Sequence, residues 1–120
     1  MTPTEGTGRA DLVLRFKSLT ERELPAQARA QRWPLRLDHC FQRVCLDWAC
    51  DDCWYRHIGR PAERHADSEL LKRAVLCADE ILAGGRLVLA ERDAASLRWR
   101  GKDLPSARRG ASELQRKSRR

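Results

Sequence analysis

Residues 39–57, HCFQRVCLDWACDDCWYRH, hold the densest group of potentially reactive side chains in this sequence. They include four of the five cysteines and two of the three histidines of the chain. Thiolates and imidazoles bind transition metals, and a thiolate beside an imidazole is a nucleophile. Protonated thiols also pack well in an apolar core. The segment therefore raises three hypotheses: a metal site, a reactive thiol or a buried helix.

An iron–sulfur cluster is the first metal hypothesis. Cys45, Cys50 and Cys53 have the spacing of plant-type iron–sulfur proteins, and Cys77 would be the fourth ligand. Such a cluster needs an irregular loop around it. Residues 35–58 contain no glycine or proline and keep a helical period, which argues against the cluster.

Zinc is the second metal hypothesis, and its candidate ligands are Cys50, Cys53 and His57. If the segment is a helix, His39 lies roughly 16 Å from Cys50 along the axis, too far to share one ion. A complete zinc site would need a further ligand from another element. We expect no resident cofactor, with zinc as one alternative.

A buried helix is the interpretation that we favour for the cysteines. Cys53 and His57 are four residues apart, as a thiol–imidazole pair requires, but no glycine-rich oxyanion loop accompanies them. Cys40, Cys45 and Cys77 flank apolar stripes, so we predict that they lie in the core. On the same helical wheel, Cys50 and Cys53 are predicted to be exposed.

Three helical segments would position these residues. Residues 37–58 are predicted to form one helix, which ends at Gly59 and Pro61. Residues 68–83 form the clearest helix, with an apolar stripe, Asp67 as N-cap and Gly84-Gly85 as the stop. Residues 86–98 are predicted to be a third helix, with a short strand as the alternative. The fold class is therefore mainly α, a small domain of two to three helices.

The domain organisation follows from composition. We predict a partly ordered extension over residues 1–30, whose segment 11–19 fits helix or strand, a helical domain over 31–102 and a basic disordered tail over 103–120. Residues 1–97 contain fifteen basic and fifteen acidic residues, whereas residues 98–120 contain nine and two. The tail end of the chain thus carries the net charge of +7.

This charge distribution predicts an electrostatic contact with nucleic acid or an acidic protein surface. The Arg98–Lys102 segment interleaves cations with an aromatic ring, an arrangement that can contact phosphates and stack a base. The candidate contact residues are Arg98, Trp99, Arg100, Lys102, Arg108 and Arg109. The alternative for Trp99 is that it closes the core.

Several function classes lack their signatures. The sequence has no phosphate-binding loop, no dinucleotide-binding glycine motif, no G-x-S-x-G and no H-E-x-x-H. No apolar run approaches membrane-span length, and the first residues lack the apolar segment of a secretory signal. We therefore expect a cytoplasmic protein without a membrane partner. Because a core this small is marginally stable alone, a homo-oligomer is a further hypothesis.

Residues 33–102 resemble a group of small uncharacterised proteins. The resemblance lies in WPLRLDHCFQR at residues 33–43, in Leu46-Asp47, Trp54-Tyr55 and Pro61-Ala62, and in SLRWRGK at residues 96–102. Some members are labelled acetyltransferases, which implies acetyl-CoA as a cofactor. The acetyl-CoA loop [QR]-x-x-G-x-[GA] of the common acetyltransferase type is not present here.

The resemblance directs attention to polar residues that no core requires: Asp38, His39, Arg43 and Asp47. In a transferase, Arg43 would hold an anionic substrate and His39 would serve as acid or base. Asp38 and Asp47 lie almost opposite each other on a helix, so a second element would have to complete the pocket. Our leading interpretation is a non-catalytic helical binding module, with a small transferase as the first alternative and a zinc-binding domain as the second.

Overall fold

The structure, a computed structural model, describes residues 8–102. The predicted basic tail, with Arg108 and Arg109, lies outside the described residues. Within residues 8–102 every regular element is a helix, so the predicted mainly α class is confirmed. None of these helices combines the length and apolar character needed to cross a membrane.

Six α-helices follow one another along the chain. They are α1 (Arg9–Ser18), α2 (Leu24–Gln31), α3 (Asp38–Cys50), the single-turn α4 (Ala62–His65), α5 (Ser68–Gly84) and α6 (Arg86–Trp99). A π-helical segment, Leu19–Glu23, joins α1 to α2, and a 3₁₀ turn, Trp54–Arg56, lies between α3 and α4. α3 and α5 form the centre, with α1 packed on α5 and α6 on α3.

Pro25 provides the physical reason for the π segment. Proline has no backbone N–H, so the preceding turn loses a regular helical hydrogen bond. Leu24 N–H bonds instead to the carbonyl of Leu19, five residues earlier. The buried hydroxyl of Thr20 donates to the Phe16 carbonyl at 2.9 Å, which provides that carbonyl with a partner. Helix thus continues from α1 into α2 with one wide turn.

The prediction of a partly ordered extension over residues 1–30 was wrong for the described part, residues 8–30. The buried apolar residues of this part belong to the core: Leu12, Phe16, Leu19, Leu24 and Ala28. Their spacing is four, three, five and four residues. The five-residue step spans the π segment, and it breaks the 3.6-residue period by which an amphipathic helix is detected.

The predicted helix over residues 37–58 was too long. α3 ends at Cys50 because Asp51 adopts the left-handed conformation, with φ 55°, and Asp52 N–H bonds back to the Asp47 carbonyl at 3.2 Å. This is a helix stop that glycine usually provides. Residues 51–58 then form a compact turn, which we call the Asp51–Ile58 turn, around the 3₁₀ segment.

The later helices agree with the sequence patterns. Asp67 caps α5 by accepting a hydrogen bond from Leu70 N–H at 2.8 Å, and α5 stops at Gly84, before Gly85 at φ 73°. Residues 86–98 are helical in α6, so the alternative of a strand there was wrong.

The prediction from this packing concerns Leu19, which is fully buried in the π segment. Replacing Leu19 with Ala should lower the free energy of unfolding by about 3 kcal/mol, because a large side chain leaves a cavity in the core. Leu14 on the same helical run is 67% exposed, so Leu14→Ala should change stability by no more than about 0.5 kcal/mol. Urea denaturation of the two variants measures both values. Equal small effects would show that this segment does not belong to the core.

Candidate functional site

A cleft of about 570 Å³ opens between α3, the Asp51–Ile58 turn and the segment that leads into α4. This volume lies within the range of about 300–1,000 Å³ that is usual for small-molecule sites. Its apolar lining includes Leu46 from α3 and Phe16 from α1. The full lining consists of Phe16, His39, Gln42, Arg43, Leu46, Trp54, Tyr55, Arg60, Pro61, Ala62, Glu63 and Arg100.

Asp47 lies behind this cleft, and its carboxylate is completely buried. Oδ2 accepts from Arg100 Nε at 2.7 Å and from the Ser96 hydroxyl at 2.6 Å. Oδ1 accepts from Arg100 Nη2 at 3.0 Å and from the backbone N–H of Trp54 at 2.9 Å. A buried carboxylate is costly unless it is paired and hydrogen-bonded, and four donors meet that requirement here. One side chain of α3 thereby connects α6 and the Asp51–Ile58 turn.

Arg100 is fixed by the same network. Its hydrogen bonds to Asp47 raise the pKa of the Arg100 guanidinium further above its usual range, against the opposing effect of burial. Its Nη1 donates to the Tyr55 hydroxyl at 2.7 Å. The guanidinium also lies 4.8 Å from the Tyr55 ring centre. Arg100 therefore places the Tyr55 ring at the wall of the cleft.

Arg43 reaches the network from another turn of α3. Its Nη1 donates to the Ser96 hydroxyl at 2.7 Å, and its Nη2 donates to Asp93 at 2.7 Å. Both groups of this ion pair are about four-fifths buried. Ser96 thus accepts from Arg43 while it donates to Asp47, which joins the two ion pairs into one chain of hydrogen bonds.

Arg60 differs from the other arginines of the cleft. Its guanidinium lies 4.3 Å from the Tyr55 ring centre, in cation–π contact. Among residues 8–102 no carboxylate forms an ion pair with it. Within the described part of the chain, its charge is therefore uncompensated at the rim of a mostly apolar cleft.

The four polar residues suggested by the resemblance divide into two groups. His39 and Arg43 line the cleft. Asp38 does not, since it lies at the start of α3 and accepts from the backbone N–H of His39 at 2.7 Å. Asp47 is buried behind the cleft lining. The structure thus brings two of the four to a common surface and gives Asp47 a positioning role instead.

The zinc candidates are not brought together. Cys53 is 3% exposed, contrary to the prediction that it faces solvent. His57 Nε2 lies 3.0 Å from Asp52 Oδ2, and this hydrogen bond lowers the pKa of Asp52. Cys50 is half-buried, and burial followed by the charge of Asp47 raises its thiol pKa to about 11. No group of three or more potential metal ligands occurs within residues 8–102.

The remaining cysteines agree in part with the core prediction. Cys45 and Cys77 are fully buried between α3 and α5, whereas Cys40 is partly exposed. Arg92 Nη1 lies 3.6 Å from the Cys77 sulfur. The hydrogen bond with Cys77 and burial both raise the pKa of Cys45. Cys45 is therefore a buried packing group between α3 and α5.

The residues that were predicted to contact a polyanion lie in different surroundings. Arg98 and Trp99 border a separate groove of about 320 Å³ together with Trp48. Arg100 is directed inward to Asp47, so its charge is not available to an external polyanion. Lys102 is exposed where α6 has ended.

Sequence reasoning missed Tyr55, Arg60, Asp93 and Ser96 as site residues. One signal for this part of the site was present. Asp93 and Ser96 in α6 and Arg100, the residue that caps its C-terminus, have the spacing i, i+3 and i+7, which places them on one face of a helix. A polar triplet on the buried side of a helix indicates partners on the facing element.

Comparison of the chain with protein-family models, with curated proteins and with solved structures gave no match. The resemblance described above therefore stays an expectation, and the interpretation of the cleft depends on its own geometry.

The buried network predicts the effect of neutralising Asp47. In Asp47→Asn, one of the donors of Arg100 or the Ser96 hydroxyl loses its acceptor, and the guanidinium loses its counter-charge. The free energy of unfolding should fall by about 3 kcal/mol, as when other buried ion pairs lose one partner. Asp38→Asn on the same helix is the matched control, because Asp38 is exposed, and it should change stability by no more than about 0.5 kcal/mol. Equal denaturation midpoints for the two variants would contradict the proposed role of Asp47.

Proposed function

We propose that this protein is a small helical binding module that holds an organic anion in the cleft. The apolar part of the ligand would lie against Leu46, Ala62 and Trp54, and its anionic group would face Arg60. The observation that carries the proposal is the uncompensated guanidinium of Arg60 at the rim of an apolar cleft.

The charges of the cleft support an anion over a cation. Arg43 is balanced by Asp93 and Arg100 by Asp47. Glu63, the acid that lines the cleft, has Lys17 Nζ at 3.9 Å. These pairs cancel to a first approximation, and Arg60 contributes the remaining positive charge. An anion at this rim would gain a charge-assisted hydrogen bond, which is roughly twice as strong as a neutral one.

The paired arginines also retain hydrogen-bonding capacity. A guanidinium has five N–H donors. Arg43 uses two of them on Asp93 and Ser96, and Arg100 uses three on Asp47 and Tyr55. Their guanidinium groups line the cleft and are fixed by ion pairs with Asp93 and Asp47. A ligand therefore meets preorganised donors, which lowers the entropic cost of binding.

A small transferase is the second candidate function, and the position of His39 favours it. His39 lines the cleft and its side chain is 73% exposed, so an imidazole is accessible beside the proposed anion site. Calorimetric titration with acetyl-CoA tests this candidate, and absence of binding would remove it. Contact of the tail with nucleic acid or an acidic partner stays a proposal from charge alone.

The proposed function predicts a difference between a charged and a neutral probe of the same shape. 2-Naphthoate should bind at least tenfold more tightly than 2-naphthylmethanol in isothermal titration calorimetry, because only the carboxylate pairs with Arg60. Arg60→Gln should weaken naphthoate binding about tenfold, which corresponds to 1.4 kcal/mol. Its free energy of unfolding should fall by no more than about 1 kcal/mol, because the variant loses a cation–π contact with Tyr55 but no ion pair within residues 8–102.

Arg64→Gln is the matched control. Arg64 is also exposed and close in sequence, but it does not line the cleft. Its affinity for naphthoate should equal that of the unmodified protein. Equal affinities for the carboxylate and the alcohol, or an Arg60→Gln variant that binds naphthoate normally, would refute the proposal.

A further inference from the structure

A second, smaller pocket of about 190 Å³ adjoins the cleft. The two share Tyr55 and Arg100 as lining residues. The complete lining of the small pocket is Cys53, Tyr55, Arg56, Arg100 and Lys102. Three of these five residues are cations and none is a carboxylate, whereas the lining of the cleft is mostly apolar surface and includes the carboxylate of Glu63.

The end of α6 brings Lys102 to this pocket. Gly101 adopts φ 74°, a conformation that side chains with a Cβ rarely adopt. The N–H of Lys102 bonds back to the Leu97 carbonyl at 2.6 Å, and that of Gly101 bonds to the Arg98 carbonyl at 2.9 Å. This glycine-dependent helix ending turns the chain and leaves Lys102 close to Arg100. The sequence Arg100-Gly101-Lys102 is therefore a local unit that places two cations at one pocket.

Arg56 supplies the third cation from the Asp51–Ile58 turn. Its Nη1 lies 3.2 Å from Asp52 in an exposed ion pair, and Asp52 also bonds to His57. Exposed pairs of this kind are weak and easily exchanged for another anion. Lys102 has no ion-pair partner within residues 8–102. Arg56 and Lys102 thus bring positive charge to the pocket beyond that which Asp47 neutralises on Arg100.

We infer that the small pocket is a phosphate subsite. This inference rests on the proposed function, because it makes the organic anion of the cleft an organic phosphate. The planar guanidinium of Arg56 and the point charge of Lys102 match the chemistry of a phosphate oxyanion. Arg100 forms a wall of the pocket, but its charge is balanced by Asp47. The volume of about 190 Å³ lies below the range of about 300–1,000 Å³ that is usual for small-molecule sites, so we assign the phosphate group to this pocket and the organic body to the cleft. Free inorganic phosphate shares this chemistry with a phosphate ester.

Three probes separate these possibilities in calorimetric titrations at constant ionic strength: inorganic phosphate, 2-naphthyl phosphate and 2-naphthoate. 2-Naphthyl phosphate should bind at least tenfold more tightly than 2-naphthoate. Lys102→Gln should remove this advantage and leave naphthoate binding unchanged. Arg56→Gln, an independent variant in the Asp51–Ile58 turn, should have the same effect. Arg98→Gln is the matched control, since Arg98 is exposed near the end of α6 but borders the other groove.

The outcomes distinguish the subsite from the cleft. If naphthoate binds through Arg60 but naphthyl phosphate binds no better, and Lys102→Gln changes neither affinity, the phosphate subsite is refuted while the proposed function stands. If inorganic phosphate binds and Lys102→Gln weakens it, but naphthoate does not bind, the pocket is an oxyanion site and the proposed function fails. If none of the three probes binds, both are overturned.

Discussion

The buried carboxylate of Asp47 is the constraint on which the arrangement of this protein depends. A buried charge is costly unless ion pairs and hydrogen bonds compensate for the lost water. Here every group that bonds to the carboxylate lies outside α3. Arg100 and Ser96 come from the end of α6, and the N–H of Trp54 comes from the Asp51–Ile58 turn. Apolar packing brings α3 and α6 together, and the bonds of the Asp47 carboxylate determine which residues of the two helices lie opposite each other. The carboxylate also holds the irregular turn at Trp54, whose N–H bonds to it instead of to a backbone carbonyl.

The cleft is a consequence of that constraint. The turn held by Asp47 presents Trp54 and Tyr55, and the arginine held by Asp47 supports the Tyr55 hydroxyl. Tyr55 is then flanked by two guanidinium groups, of which the one from Arg100 is compensated and the one from Arg60 is not. The same wall separates the apolar cleft from the cationic pocket. A buried ion pair therefore acts as the support of a site whose exposed charges do the binding that we propose.

Local sequence signals predicted those elements whose stabilisation is local. α5 has a periodic apolar stripe, a capping aspartate and a glycine stop, and all three are visible within one segment. α1 and α2 were missed because the π segment before Pro25 shifts the apolar period by one residue. The end of α3 was missed because Asp51, rather than glycine, adopts the left-handed conformation. That error placed Cys53 on the wrong face and made a buried thiol look like an exposed ligand.

The site was only partly predictable for a related reason. His39 and Arg43 are one turn apart on a helix, so their shared surface follows from the sequence. The partners of Asp47 do not follow from the sequence, since Arg100 is 53 residues and Ser96 is 49 residues further along the chain. Such pairings depend on how the helices pack, which a single sequence does not specify. Arg60 was missed because its role depends on the position of Tyr55, itself set by that network.

Hydrogen exchange at the Trp54 backbone amide tests the central role of Asp47 most directly. This amide lies in an irregular turn, and its acceptor is the Asp47 side chain instead of a backbone carbonyl. If the buried carboxylate holds the turn, the Trp54 amide hydrogen should exchange only when the core unfolds. Its exchange rate should then be close to that of core amides of α3 such as Val44. Exchange as fast as at exposed Gly59, while Val44 stays protected, would contradict the account.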